Sequence, residues 1–191
     1  MVQGHDAGQD VGQAGVFSSV KPGDFFALNA FLPFTGEGRR EALEEIRHGV
    51  AEKCGVVSCL EVGPRYLHST GQLHKGGPNT GVFLILSADE LKDVPLSEGA
   101  ESLGSLAKVQ AVGDFLTLAD QDRRCVHLHL PDNSGVTLRG LASVVTSVLL
   151  QVGEERARAA AADVRADEQA EVAPNAPSEP LDPPVPAAEE A

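Results

Sequence analysis

The stretch Gly81-Val-Phe-Leu-Ile-Leu86 contains no polar side chain and no alternation of polar and apolar residues. A run of this kind, rich in β-branched and aromatic residues, is stable as a strand only when both of its faces are covered. That is the position of an interior parallel strand with helices on either side. Three neighbouring segments agree with this reading. Asp24-Phe-Phe-Ala-Leu-Asn-Ala-Phe-Leu32 is an apolar strand ended by Pro33, Val56 to Val62 reads as another, and Arg124-Cys-Val-His-Leu-His-Leu130 as a fourth. Between the first two, a helix is predicted from about Gly38 to Lys53 with Thr35 as its cap. Ala42, Leu43, Ile46 and Val50 recur on it at three- and four-residue steps, and Glu41, Glu44, Glu45 and Arg47 fall largely outside that stripe. Leu103 to Val112 and Phe115 to Leu118 read as two helical pieces broken at Gly113, and Thr137 to Val152 as a last helix. Strands separated by helices imply right-handed crossovers and a mainly parallel sheet, whose ligands bind beyond the carboxyl ends of the strands.

A chain of 191 residues allows one domain of this type plus tails, and not two full lobes. Aromatic residues are 4% of the chain, with no Trp, which leaves little surface for stacking nucleic-acid bases. The formal charge of −13 repels phosphate backbones and anionic bilayers, so neither nucleic acid nor a membrane is an expected partner. The apolar stretch Leu141 to Val152 is too short and too interrupted by Ser and Thr to span a bilayer. Three cysteines without a CxxC pair, and no charged-then-apolar leader, point to a reducing compartment and a cytoplasmic protein.

Residues 1–19, rich in Gly, Gln and Asp, read as a disordered arm, and 20–153 as the α/β domain. Residues 154–191 read as an acidic Ala/Pro-rich tail: a frayed helix leading into a disordered end with six of the twelve prolines. This tail carries ten acidic and three basic side chains, so the domain proper is only mildly acidic.

The segment 63–81, Gly-Pro-Arg-Tyr-Leu-His-Ser-Thr-Gly-Gln-Leu-His-Lys-Gly-Gly-Pro-Asn-Thr-Gly, departs from this pattern. It follows a predicted strand directly and gathers Arg65, His68, Ser69, Thr70, Gln72, His74, Lys75 and Asn79 among glycines. Glycines let backbone amides approach an anion closely, and Arg65 and Lys75 are placed to hold a phosphate by charge-assisted hydrogen bonds, with little role in stability. The competing reading is a solvated polar connection. A metal site is the weaker alternative, because His68 and His74 are six apart with no acidic residue in the segment.

This same string resembles the C-terminal segment of the glucose-6-phosphate isomerase part of bifunctional transaldolase/glucose-6-phosphate isomerases. Ala30-Phe-Leu-Pro-Phe34, Leu103-Gly-Ser-Leu-Ala-Lys-Val-Gln-Ala-Val-Gly-Asp114 and the strand Arg123 to Leu130 follow the same order, over roughly residues 22 to 152. The resemblance implies a flavodoxin-like three-layer domain of the sugar-isomerase (SIS) type, with glucose 6-phosphate and fructose 6-phosphate as substrates and no cofactor or metal. It covers only the last part of such an enzyme. The preceding lobe, with its Ser/Thr-rich phosphate loop, has no counterpart here, which implies a partner chain that supplies it.

Such isomerases open the sugar ring with a histidine and move a proton between C2 and C1 through a cis-enediol with a glutamate base. The resemblance places His68 on the ring-opening histidine and, less specifically, Lys108 on an assisting lysine. It makes Arg65, Ser69, Thr70, Gln72, His74, Lys75 and Asn79 substrate ligands. No glutamate matches the base: Glu37, Glu44 and Glu45 belong to or adjoin an ordinary amphipathic helix. Cys125, His127 and His129 share one face of a strand and read as packed or hydrogen-bonded side chains, and Cys54 and Cys59 as structural thiols. The alternatives to an isomerase domain are a non-catalytic sugar-phosphate-binding or regulatory subunit, and an assembly protein working through its acidic tail.

Overall fold

The computed structural model describes residues 2–5, 13–36, 38–96 and 101–171, with the side chains of 2–5, 13–14 and 166–171 left aside. Its elements in chain order are β1 (Val2–His5), α1 (Gln13–Ser18), β2 (Phe25–Phe31), α2 (Arg39–Cys54), β3 (Val57–Val62), a 3₁₀ turn (Arg65–His68), α3 (Thr70–Gly76), β4 (Gly81–Ala88), α4 (Leu103–Ala119), β5 (Arg124–Leu130) and α5 (Gly135–Glu171). The sheet runs β1-β5-β4-β2-β3. β2, β3, β4 and β5 are parallel and β1 is antiparallel to β5. The four parallel strands thus follow the flavodoxin-like order, and the winding reverses between β2 and β4.

All eight residues of β4 are buried, as the continuous apolar run requires. Phe26, Leu28, Val82, Leu84 and Val126 point to one face and pack with Val16 and Phe17 of α1, Leu43, Ile46 and Val50 of α2, and Leu138, Val145 and Leu149 of α5. Ala27, Phe31, Phe83, Ile85 and Cys125 point to the other, against Tyr66 of the 3₁₀ turn and Ala111, Phe115 and Leu118 of α4. Each fully buried Leu, Ile or Phe contributes about 1.5–3 kcal/mol, so the three layers hold one another through apolar burial on both faces.

Several expectations are corrected. α4 is continuous through Gly113, where the open surroundings leave only the intrinsic cost of helical glycine, about 1 kcal/mol. The residue at the cap of α2 is Gly38, with φ 72° and no side-chain cap, and the Thr35 carbonyl instead accepts from Arg39 Nη1 at 2.8 Å. Residues 2–5 and 13–18, assigned to a disordered arm, form β1 and α1, and Val16, Phe17 and Val20 are buried. β1 is held by backbone pairing to the free edge of β5, which composition does not report. Residues 1, 6–12, 37, 97–100 and 172–191, including Glu37 and the proline-rich end, lie outside the described residues.

The chain divides into units 1–155 and 156–191. In the second, 156–171 is helical. Within α5, Gly135–Arg165 is long and apolar enough to cross a membrane by length and composition, contrary to the shorter stretch read from the sequence. Its Leu138, Ala142, Val145, Leu149 and Val152 are nonetheless buried in the sheet-facing core of the first unit.

At the amino edge of the sheet, Arg124 forks onto Asp24 at 2.6 and 2.8 Å and donates to the Ser19 carbonyl at 2.7 Å. Burial works against the Asp24 charge, but the Arg124 fork and the Lys21 amide hold its carboxyl below the usual carboxylate range. Arg124→Met leaves that carboxylate buried and unpaired, and urea unfolding of the variant should show a loss of roughly 3–5 kcal/mol. A loss under about 1 kcal/mol would mean that the fork is equivalent to a surface pair.

Candidate functional site

The four parallel strands end on one edge, and the segments that leave them enclose a cleft of about 290 Å³. Its walls are Phe31, Leu32 and Pro33 beyond β2, Gly63 beyond β3, Glu90, Lys92, Asp93 and Val94 beyond β4, and Leu103, Gly104 and Ala107 at the start of α4. This is the switch point of the sheet, where the strand order reverses and such sheets bind ligands. Gly63 is needed here: its amide donates to the Ala30 carbonyl at 2.9 Å, and a Cβ would lie 2.6 Å from the Phe31 ring.

Two carboxyl groups in the cleft are displaced in opposite directions. Glu90 is partly buried and accepts from Asn133 Nδ2, yet burial and the neighbouring Asp93 charge raise its pKa above the usual range. Asp93 is held low by the Ser102 hydroxyl, the Gly104 amide at 2.8 Å and the Val94 amide at 2.8 Å. Carboxyls separated in this way can divide acid and base roles between them. The start of α4 is already satisfied internally: Ser102 Oγ accepts from the Ser105 amide at 3.0 Å, Ser105 Oγ accepts from the Ser102 amide at 2.9 Å, and Asp93 takes the Gly104 amide. Lys92 is the cation among the described lining residues.

A polar chain runs along the same edge under α4. Ser87 Oγ lies 2.8 Å from His127 Nε2 and 2.9 Å from His129 Nδ1. His129 Nε2 lies 3.1 Å from Asp89, which pairs with Lys108 at 3.3 Å. Burial, with the nearby His129 and other positive groups, pushes His127 down to about 4. His127 and His129 are therefore hydrogen-bonded side chains, as expected of residues on one face of an interior strand. Burial, with Glu61 beside Cys59 and Asp114 beside Cys125, pushes both thiols up to about 12, so neither is a nucleophile at neutral pH.

The 63–81 segment does not stay at this edge. It leaves the Ala30 end of β2 through Gly63, forms the 3₁₀ turn and α3, and returns to the Phe25 end, where the Thr80 carbonyl accepts from the Phe25 amide at 3.0 Å. The two ends are about 16 Å apart along the strand. Arg65 and His68 are exposed in the first turn, Ser69 and Gln72 are exposed, and Asn79, also exposed, donates to the Asp122 carbonyl at 2.9 Å near the opposite edge. Thr70 Oγ1 is buried without a partner among the described residues.

His74 and Lys75, expected to bind substrate, serve the interior instead. His74 is 2% exposed and lies among the rings of Phe25, Tyr66 and Phe83, with centroids 6.0, 5.8 and 4.9 Å away. Burial pushes it down to about 4. Lys75 pairs with the buried Asp114, which also accepts from the Tyr66 hydroxyl, and burial followed by the Asp114 charge pushes that phenol up. Arg123 donates to the Lys75 and Gly77 carbonyls at 2.6 and 2.7 Å and closes the end of α3. Arg65 and Lys75 therefore do not converge on one phosphate. The cleft residues Glu90, Lys92 and Asp93 were not singled out in the sequence. Their signal is an acidic-basic cluster immediately after the most apolar strand, Ala88-Asp-Glu-Leu-Lys-Asp93.

Fold and site together define a flavodoxin-like α/β domain with an acidic cleft at its switch point. No family model and no curated protein matches the chain. Among solved structures, a hypothetical protein from Thermus thermophilus is similar in fold, with a TM-score of 0.60 and 17% identity, over 73% of this chain and 37% of that one. The chain therefore spans little more than a third of that neighbour, and the likeness establishes the fold alone.

Lys75→Met should lower stability by roughly 2–4 kcal/mol in urea unfolding, a little below the cost of breaking a fully buried pair because Lys75 keeps 22% exposure. An unchanged midpoint would return Lys75 to the status of a solvated charge. The depressed histidines give a second expectation. His74 and His127 stay neutral in the fold while an unfolded histidine protonates near pH 6.5, so their stability is fully present above 6.5 and is lost as pH falls toward about 4. Unfolding midpoints that stay flat from pH 6.5 to 4.5 would contradict this.

Proposed function

We propose that the chain is a sugar-phosphate-binding domain of the glucose-6-phosphate isomerase type, cytoplasmic, and completed for catalysis by a partner chain that supplies the second lobe. The observation that carries this reading is Glu90: a carboxyl with a raised pKa in a cleft at the switch point, in a chain whose 63–81 string resembles that family. Aldose–ketose isomerisation needs a base that takes the C2 proton and returns it at C1, and a carboxyl poised nearer neutrality than an ordinary glutamate suits both steps. Glu90 takes the C2 proton as the C1 carbonyl electrons shift onto O1, the C2 hydroxyl proton passes to O1 through the cis-enediol, and Glu90 delivers its proton to C1 as the C2 oxygen becomes the ketone. Neutral Asn133 holds one Glu90 oxygen and leaves the other for the proton. Lys92 is positioned to offset the negative charge of the ligand. His68, exposed in the turn that leaves Gly63, is assigned ring opening; Lys108, held by Asp89, is assigned a supporting charge beside Ala107.

A second reading, a non-catalytic sugar-phosphate-binding subunit, is favoured by one feature. The Gly104 and Ser105 amides at the start of α4 are already taken by Asp93 and Ser102, so the helix start that lines the cleft offers neither amide to hold a phosphate for turnover.

Calorimetry with fructose 6-phosphate and 6-phosphogluconate, alongside amide chemical-shift mapping of the full chain, tests both readings. Binding should shift Gly63, Lys92 and Gly104, and Lys92→Ala should weaken it by roughly 1.5–3 kcal/mol. Glu90→Gln should lower any turnover by about 10²–10⁴ with little change in affinity. Binding that persists without turnover, even with a second-lobe protein added, selects the non-catalytic reading. Absence of binding removes both.

A further inference from the structure

Four segments of the chain meet at the Glu90 side chain. Asp93 follows it in the same loop, and its charge opposes ionisation of Glu90, while Lys92 lines the same cleft. Gly104, at the start of α4, abuts the Glu90 stem, and a Cβ there would lie 2.6 Å from Glu90 Cγ. From the loop beyond β5, Asn133 Nδ2 donates to Glu90 Oε2. From the start of α2, the Arg39 charge favours the ionised form. Gly104 thus limits where the stem can lie, and Asn133 determines which carboxyl oxygen is held.

The Asn133 side chain does not place itself. It is buried, and its Oδ1 has no hydrogen-bond partner among the described residues, so the far end of the amide is not anchored. Its backbone is. Arg39 Nε donates to the Asn133 carbonyl at 2.7 Å, across 94 residues of sequence, and Nη1 of the same guanidinium donates to the Thr35 carbonyl at 2.8 Å. Because a guanidinium is planar and its donors point in fixed directions, these two bonds set the loop beyond β5 against the loop beyond β2. The Arg39 amide donates to the Gly36 carbonyl at 3.1 Å, which ties the backbone of Arg39 to that second loop as well. One residue before Asn133, Asp132 takes the Ser134 amide at 2.8 Å and the Thr137 hydroxyl at 2.7 Å, which fastens the turn to α5. Arg39 supplies the other fixed point, on the cleft side.

We infer that Arg39 is a positioning residue of the cleft: its guanidinium joins the carbonyls of Thr35 and Asn133 and so aims the amide that holds Glu90. This role rests on the reading of Glu90 as the proton-carrying group, but it is tested without ligand, so a failure to bind sugar phosphates and a failure of the clip are separate results. The test is titration of the Glu90 carboxyl by ¹³C NMR in the full chain and its variants. A donated N–H favours the ionised form, so loosening it raises the midpoint. Asn133→Ala removes the amide but keeps the carbonyl that Arg39 holds, and should raise the midpoint by at least about 0.5 pH unit. Arg39→Lys keeps the charge but loses the planar fork, and should raise it by a similar amount. In the double variant, Arg39→Lys should add no more than about 0.2 pH unit, because no amide is left to aim. An unchanged midpoint in either single variant overturns the inference, as do additive shifts in the double variant, which would mean that Arg39 acts on Glu90 independently of Asn133. Should Arg39→Lys not fold, Arg39→Met is read in the same cycle: its shift should shrink by about 0.5 pH unit when the Asn133 amide is absent, and a shift of equal size in both backgrounds overturns the inference.

Discussion

With every residue of β4 buried, the sheet must be covered on both faces, and much of the molecule follows from that requirement. Helices on one face alone would leave Phe83 and Ile85, or Val82 and Leu84, in water. The chain satisfies both faces by sending β2 to β3 in one direction and returning past β2 to β4 in the other. That reversal parts the loops beyond β2 and β4, and the cleft containing Glu90 and Asp93 lies where they part. The candidate site is thus a by-product of how the apolar strand is covered.

The positive charges of the 63–81 segment illustrate a division of labour that composition hides. Lys75 neutralises Asp114, a carboxylate on the inner side of α4, while the carbonyls that end α3 are satisfied from outside the segment by Arg123. Arg65 alone of the segment's cations is left at the surface, near the carboxyl edge. A polar, glycine-rich string that looks built for a ligand is therefore in large part built to seat a short helix over Phe25, Tyr66 and Phe83.

The layers and most strand boundaries were legible because the unbroken apolar run of β4 and the three- and four-residue steps of the α2 stripe are strong signals, whereas the order of the strands is carried by neither. β5 matched its expected limits of Arg124 to Leu130, since a strand between two strong elements leaves little freedom. α3 was not legible: Thr70-Gly-Gln-Leu-His-Lys-Gly76 has two glycines and one apolar anchor, and its helical state is imposed by packing of His74. α1 and β1 were missed because a few buried side chains and one edge ladder order them. In the site, His68 and Lys108 stood out by resemblance, whereas Glu90 is marked locally only by the charged cluster 89–93 after β4, which does not set it apart from Asp89 or Asp93. Its significance arises only when burial and Asp93 act on it together.

The fork of Arg124 onto Asp24 joins residues 100 apart in sequence, and the pairing of Val2 with Leu128 spans still more of the chain. Long-range contacts of this kind form late, because the intervening chain must first be ordered. β1 and α1 therefore leave the ribosome before β5, and β1 docks only after it. Until β5 emerges, the edge of β4 that pairs with it is open, and that interval is when a nascent chain is most exposed to wrong association.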